Sequence, residues 1–94
     1  MIKSWQHKGL KQFYLTGNKA GIRPEHAKRL KIILQLLNAA EQASDMNLPG
    51  MHFHALHGSL QNYYSIKVNG NWRIIYQFVG QDAVLVDYMD YHQI

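Results

Sequence analysis

The apolar residues in the first half of the chain recur at the spacing of an α-helix. A short first helix is predicted around one apolar face, and it ends at Gly17-Asn18, since both residues tolerate the left-handed conformation of a helix C-terminus. That face consists of Leu10, Phe13 and Tyr14. A longer second helix begins near Pro24, whose missing amide hydrogen is no loss in a first turn. Its apolar stripe comprises Leu30, Ile33, Leu34 and Leu37, so both helices have one face suited to a core.

After the turn cluster at residues 47–50, β-branched and aromatic residues replace the helical pattern. Strands are predicted at residues 63–68, 72–78 and 83–88, and Asn69-Gly70 predicts a tight type I′ turn between the first two. Residues 1–6 predict a further strand at the start of the chain. The expected fold class is α+β, in which two N-terminal helices pack on a mainly antiparallel twisted sheet, as a single domain over residues 1–94.

Composition narrows the classes of protein to which the chain belongs. Its 94 residues suit one domain, and the absence of cysteine excludes disulfides and thiolate zinc sites. No apolar stretch approaches the roughly 20 residues that span a bilayer, and no signal peptide is visible, so we expect a cytoplasmic protein without membrane contact. Residues 1–31 hold eight Lys or Arg and one acidic residue, which gives a net charge of +7. Residues 32–94 hold two Lys or Arg and five acidic residues, which gives a net charge of −3. The basic segment favours a nucleic-acid partner.

Groups that can move protons concentrate in two places. The chain ends in Asp90-Tyr91-His92 followed by two residues, which is either a frayed terminus or a set of acid–base groups. His52, His54 and His57 follow the turn cluster, and we interpret them as proton carriers or surface residues, because a linear H-x-H-x-x-H does not establish a zinc site.

Arg73 alternates onto the strand face opposite Trp72 and Ile74. It is either a structural ion-pair partner or a planar donor for a phosphate. Combined with the histidines and the terminal Asp-Tyr-His, the phosphate interpretation predicts cleavage of RNA through attack by its own 2′-OH, with His54, His57, Asp90 or His92 moving protons and Tyr91 stacking on a base. That reaction needs no metal or other cofactor.

Four stretches resemble the HigB toxins of type II toxin–antitoxin systems, within the RelE/ParE superfamily. They are residues 7–11 (HKGLK), 64–68 (YSIKV), 71–74 (NWRI) and 90–92 (DYH). The resemblance implies a RelE-like fold and a ribosome-dependent endoribonuclease that cuts messenger RNA in the A site, inhibiting translation. It also implies an active site at His54, Arg73, Asp90, Tyr91 and His92. The implied partner is a HigA-like helix-turn-helix antitoxin, through which alone the toxin would meet operator DNA.

One position departs from the HigB pattern, which commonly has a lysine where this chain has His57. A histidine is not a permanent cation, so stabilisation of the transition state at this position would be weaker or pH-dependent. Two alternatives stay open. ParE-type relatives of the same fold obstruct DNA gyrase without catalysis, and the His57 position allows a weakened toxin that mainly binds its antitoxin. Two further questions stay open: which residue is the general acid and which the base, and whether Lys28, Arg29 and Lys31 contact ribosomal RNA or only solvent.

Overall fold

Two helices form as the sequence predicts. The computed structural model describes residues 1–93, so that Ile94, the last residue of the predicted domain, lies outside the described part. Helix α1 spans Lys8–Thr16, and its N-terminus is capped by His7, whose Nδ1 accepts a hydrogen bond of 2.9 Å from the Leu10 amide. Gly17 ends the helix at φ 80°, which confirms the predicted C-terminus. Helix α2 spans Ala27–Ala39 and follows a single 3₁₀ turn, Pro24–His26.

The sheet has four antiparallel strands in the order β1-β2-β3-β4. Their bounds are His54–Ala55 for β1, Tyr64–Asn69 for β2, Trp72–Val79 for β3 and Asp82–Asp90 for β4. The short edge strand β1 was not predicted from the sequence. The strand predicted at residues 1–6 is reduced to two isolated parallel bridges beside β4, Ile2 to Ala83 and Trp5 to Val86.

The turn between β2 and β3 lies one residue later than predicted. Asn69 pairs directly with Trp72, so the two-residue loop is Gly70-Asn71 and not Asn69-Gly70. Only Gly70 has a positive φ, 55°, which is the type II′ pattern and not the predicted type I′. The β2–β3 pairing also contains a bulge between Lys67 and Asn69. Beyond the bulge regular pairing resumes, with Lys67 opposite Arg73.

One face of the sheet packs against both helices, and this interface is the core. From the helices come Leu10, Phe13, Leu30, Ile33, Leu34 and Leu37, and from the strands Ile66, Val68, Ile74, Tyr76, Val86 and Tyr88. The α+β class is therefore confirmed. Alternate residues of β2 and β3, among them Lys67 and Arg73, point to the opposite face, which we call the helix-free face. Within residues 1–93 there is no helix with the length and hydropathy that crossing a membrane requires.

Candidate active site

The C-terminal Asp-Tyr-His folds back on the β2–β3 hairpin. Asp90 is the last residue of β4, opposite Trp72, and residues Tyr91–Gln93 form one 3₁₀ turn. The Tyr91 amide donates a hydrogen bond of 2.6 Å to the Asn71 carbonyl, and the Asn71 side-chain nitrogen lies 3.2 Å from Nε2 of His92. The hairpin loop therefore positions the end of the chain, and the interpretation of these residues as a frayed terminus does not hold for residues 90–92.

Asp90 organises the turn that contains His92. Its Oδ1 accepts a hydrogen bond of 3.0 Å from the His92 amide and lies 3.3 Å from Nδ1 of the imidazole, an ion pair whenever that ring is protonated. Three-quarters of the His92 side chain is exposed, against 30% of Asp90. A carboxylate and an imidazole in contact at a solvent-accessible position are suited to taking and giving protons.

Arg73 is held in place by its own hairpin. Its Nη1 donates to the Gly70 carbonyl at 2.7 Å and to the Trp72 carbonyl at 3.1 Å. The guanidinium carbon lies 5.3 Å from the centre of the Tyr91 ring, a cation–π contact. The Tyr91 side chain is exposed at 41%. The structure thus brings Arg73 and Tyr91 together, as it does Asp90 and His92.

The two pairs lie on different sides of the sheet. Trp72 and Ile74, the neighbours of Arg73 along β3, point toward the helices, so Arg73 itself points to the helix-free face. Asp90 is directly opposite Trp72 and therefore lies on the side of the helices. On that side, Asp90 and His92 line a cleft of about 280 Å³ together with Arg23, Glu25, His26, Asn69, Gly70, Asn71 and Trp72. The terminal turn therefore crosses the end of the sheet, with Tyr91 over one face and His92 at the other.

His54 and His57 are more distant from this end of the sheet. His54 is exposed on β1 and, through Ser65 and Ile75, lies in the row next to Arg73 on the helix-free face. Two strand spacings and two residues of rise place its Cα roughly 12 Å from that of Arg73. His57 is exposed in the loop after β1 and, within residues 1–93, forms no side-chain hydrogen bond with another candidate residue. The same range contains no group of three His, Asp or Glu side chains arranged to hold a metal ion.

Sequence reasoning missed a buried polar pair beside the cleft. His26 is 3% exposed, and its Nδ1 lies 2.6 Å from the Tyr88 hydroxyl. Burial lowers the pKa of His26 and raises that of Tyr88. Arg23 lies over the Trp72 ring at 5.6 Å and pairs with Glu25 at 3.0 Å. From the sequence alone, these residues indicate only the start of a helix. Their contacts with Trp72 and Tyr88 join positions more than 45 residues apart in the chain, and no local pattern reveals them.

A family sequence model and two known proteins that resemble this chain indicate the same family. Residues 3–92 match the sequence model of a family described as the RelE-like toxin of the type II toxin–antitoxin system HigB. The chain is 38% identical over 92 residues to the endoribonuclease HigB of Proteus vulgaris, an alignment that covers 98% of this chain and all of that relative. It is 35% identical over 95 residues to toxin HigB-1 of Vibrio cholerae serotype O1, with 99% of each chain covered.

Proposed function

Because the chain belongs to the HigB-like family of RelE-like toxins, we propose that it is an endoribonuclease that cuts messenger RNA in the ribosomal A site and thereby inhibits translation. The observation that carries this proposal is the fold of the terminal Asp90-Tyr91-His92 against the hairpin that bears Arg73. A toxin of a type II system has a cognate antitoxin. We expect a HigA-like helix-turn-helix protein, encoded by a neighbouring reading frame, through which the toxin meets operator DNA.

The reaction needs only groups that this chain supplies. The 2′-OH of the RNA attacks the adjacent phosphorus, the bond to the 5′-oxygen breaks, and the products are a 2′,3′-cyclic phosphate and a free 5′-OH. A base removes the 2′-OH proton and an acid protonates the leaving oxygen. Asp90 and His92, in contact with each other on the helix side of the sheet, are acid–base candidates, and His54 is the candidate on the face that carries Arg73. We place the scissile phosphate at the strand end that the terminal turn crosses, between these two sides.

Arg73 stabilises the negative charge that grows on the phosphate during this attack. Its Nη1 is anchored by two carbonyls, so the guanidinium is preorganised at low cost when the substrate arrives. Tyr91 lies beside it with an exposed ring that stacks on a base of the message. His57 is the second candidate for holding the scissile phosphate, although a histidine is not a permanent cation.

In this mechanism the imidazole of His92 transfers a proton as either the general acid or the general base. Induced expression of the wild-type protein stops growth and leaves discrete cuts in translated messages, detected by primer extension. His92→Ala abolishes both, because removal of an acid or base typically costs 10²- to 10⁴-fold in rate.

His52→Ala is the matched control, since His52 is exposed and, within residues 1–93, its side chain forms no hydrogen bond or ion pair with a candidate residue. It retains toxicity and cutting. Cleavage that survives in the double variant Arg73→Ala, His92→Ala contradicts the mechanism. Inhibition of gyrase supercoiling without any cleavage of ribosome-bound message contradicts the ribonuclease itself and favours the ParE-like alternative.

A further inference from the structure

The last 63 residues of the chain contain only two Lys or Arg side chains, and the sheet places them directly opposite each other. Lys67 of β2 pairs with Arg73 of β3, so their Cβ atoms are about 4.5–5.5 Å apart on one face. Ile66 and Val68, on either side of Lys67, lie in the core, as does Ile74 beside Arg73. Both cations therefore point to the helix-free face, where His54 occupies the neighbouring row.

The position of Lys67 is fixed by its backbone. Its amide donates to the Met51 carbonyl at 2.9 Å, and its carbonyl accepts from Nη2 of Arg29 at 3.2 Å. The first of these bonds ties β2 to the loop before β1, and the second ties it to helix α2. Lys67 is thus presented from a rigid part of the sheet, which is the kind of support that a binding residue needs.

Nothing in the described part of the chain neutralises this pair of charges. The ion pairs within residues 1–93 involve the N-terminal amine, Arg23 and His92, but neither Lys67 nor Arg73. The nearest acidic residue on the same face is Asp87, placed diagonally to Arg73, and its Oδ1 accepts a hydrogen bond from the Tyr88 amide. Like charges directly opposite each other destabilise a strand pair, and a bound anion removes that penalty.

We propose that Lys67 and Arg73 together bind the scissile phosphate of the RNA substrate, and that Lys67 is a catalytic residue of this chain. The described hydrogen bonds of the Arg73 guanidinium all use Nη1, which leaves Nη2 and Nε to the phosphate, while Lys67 adds a point charge from the next strand. This inference rests on the proposed ribonuclease function for the identity of the anion. It assigns to Lys67 the permanent positive charge that His57 does not supply.

The test measures single-turnover cleavage on ribosomes programmed with a message. Lys67→Met keeps the length of the side chain and removes its charge, and we expect cleavage to slow by about 10- to 100-fold, the effect of one charged hydrogen bond to the phosphate. Lys67→Arg restores most of the rate. Lys11→Met, which removes the same charge from the exposed side of α1, cuts like the wild type.

A second measurement separates the phosphate site from the ribonuclease function. Binding of a 2′-deoxy trinucleotide, which lacks the attacking hydroxyl, is followed by NMR titration at low salt for wild type and Lys67→Met. We expect at least a fivefold loss of affinity in the variant, whose thermal unfolding shows that it is folded. A wild type that binds the trinucleotide through Lys67 but cuts no message disproves the ribonuclease proposal and keeps the phosphate site. Equal cleavage and equal binding in wild type and Lys67→Met overturn the inference.

Discussion

At the scale of single residues, the buried His26–Tyr88 pair links stability to pH. The Nδ1–Oη distance of 2.6 Å and the edge-on packing of His26 against Trp72 suit a neutral imidazole. Burial is the main reason that the pKa of His26 lies below its ordinary value of 6.5. The unfolded chain therefore binds a proton at this site more readily than the folded protein, so the free energy of unfolding falls as pH drops below about 6.5.

Replacement of His26 tests this linkage. We expect the wild type to lose stability between pH 6.5 and 5, and His26→Gln to show a flatter pH profile, because glutamine does not titrate. The measurement is urea unfolding at constant ionic strength across this range. His52→Gln, a change of an exposed histidine, should leave the wild-type slope unchanged. Parallel profiles for the wild type and His26→Gln would show that another group causes the acid sensitivity.

Residue types indicated a candidate chemistry for the site, but they did not indicate how the site is arranged. Asp90, Tyr91 and His92 were predicted as acid–base and stacking groups because their side chains have those capacities in any fold. Their distribution over two sides of the sheet depends on a turn that crosses the strand end, and no sequence period describes such a turn. The contribution of Arg23 and His26 to the cleft depends on packing against Trp72 and Tyr88, which is set by the tertiary fold.

At the scale of elements, α1 is packed so closely that one of its residues must be glycine. A Cβ on Gly9 would lie 2.6 Å from the carbonyl oxygen and 2.7 Å from the Cα of Gly21, in the segment before α2. Both neighbours are backbone atoms, so neither moves aside as a flexible side chain would. The close approach of α1 to this segment fixes how the two helices meet.

Gly9→Ala has opposite expected effects with and without this contact. In an open helix the change stabilises by about 1 kcal/mol, whereas overpacking against fixed atoms costs about 1–3 kcal/mol. We expect net destabilisation, measured as a lower midpoint in urea unfolding followed by circular dichroism. Gln12→Ala, at an exposed position of the same helix, should be neutral or stabilising. A Gly9→Ala protein more stable than the wild type would show that α1 and the segment around Gly21 separate easily.

The hairpin shows why the elements were predictable and their register was not. Alternation and β-branched residues located β2 and β3 within one or two residues. The predicted turn at Asn69-Gly70 would place Ile66 opposite Arg73, whereas the observed turn and the bulge place Lys67 there. The choice between the two turns is decided by burial of Ile66 and Val68 under the helices, which is a property of the assembled core.

At the scale of the whole molecule, half of the ten Lys and Arg side chains lie on two separate surfaces. One is the Lys67–Arg73 pair on the helix-free face. The other is a cleft of about 480 Å³ between the helices, lined by Phe13, Tyr14, Gly17, Lys19, Ala27, Lys28, Lys31 and Gln35. Arg29 does not belong to this second surface, because its guanidinium donates to the carbonyls of Gly50 and Lys67. Of the three basic residues predicted on this helix face, only Lys28 and Lys31 line the cleft.

The exposed lysines of α2 suit contact with ribosomal RNA and not catalysis, since the cleft that they line contains none of the candidate active-site residues. Neutralising Lys28 and Lys31 together should weaken binding to the ribosome and reduce the slope of log affinity against log salt by about 1.4, the value for two lost phosphate contacts on single-stranded RNA. The cleavage rate of message already bound should not change. The measurement is a binding titration at several salt concentrations, paired with single-turnover cleavage at saturating toxin.

Neutralising Lys8 and Lys11, exposed lysines of α1 outside the cleft, provides the control for loss of overall charge. If both pairs lower the slope equally, ribosome binding depends on net charge alone. A larger effect of Lys28 and Lys31 assigns the contact to the cleft between the helices and separates the surface that binds the ribosome from the face that binds the message.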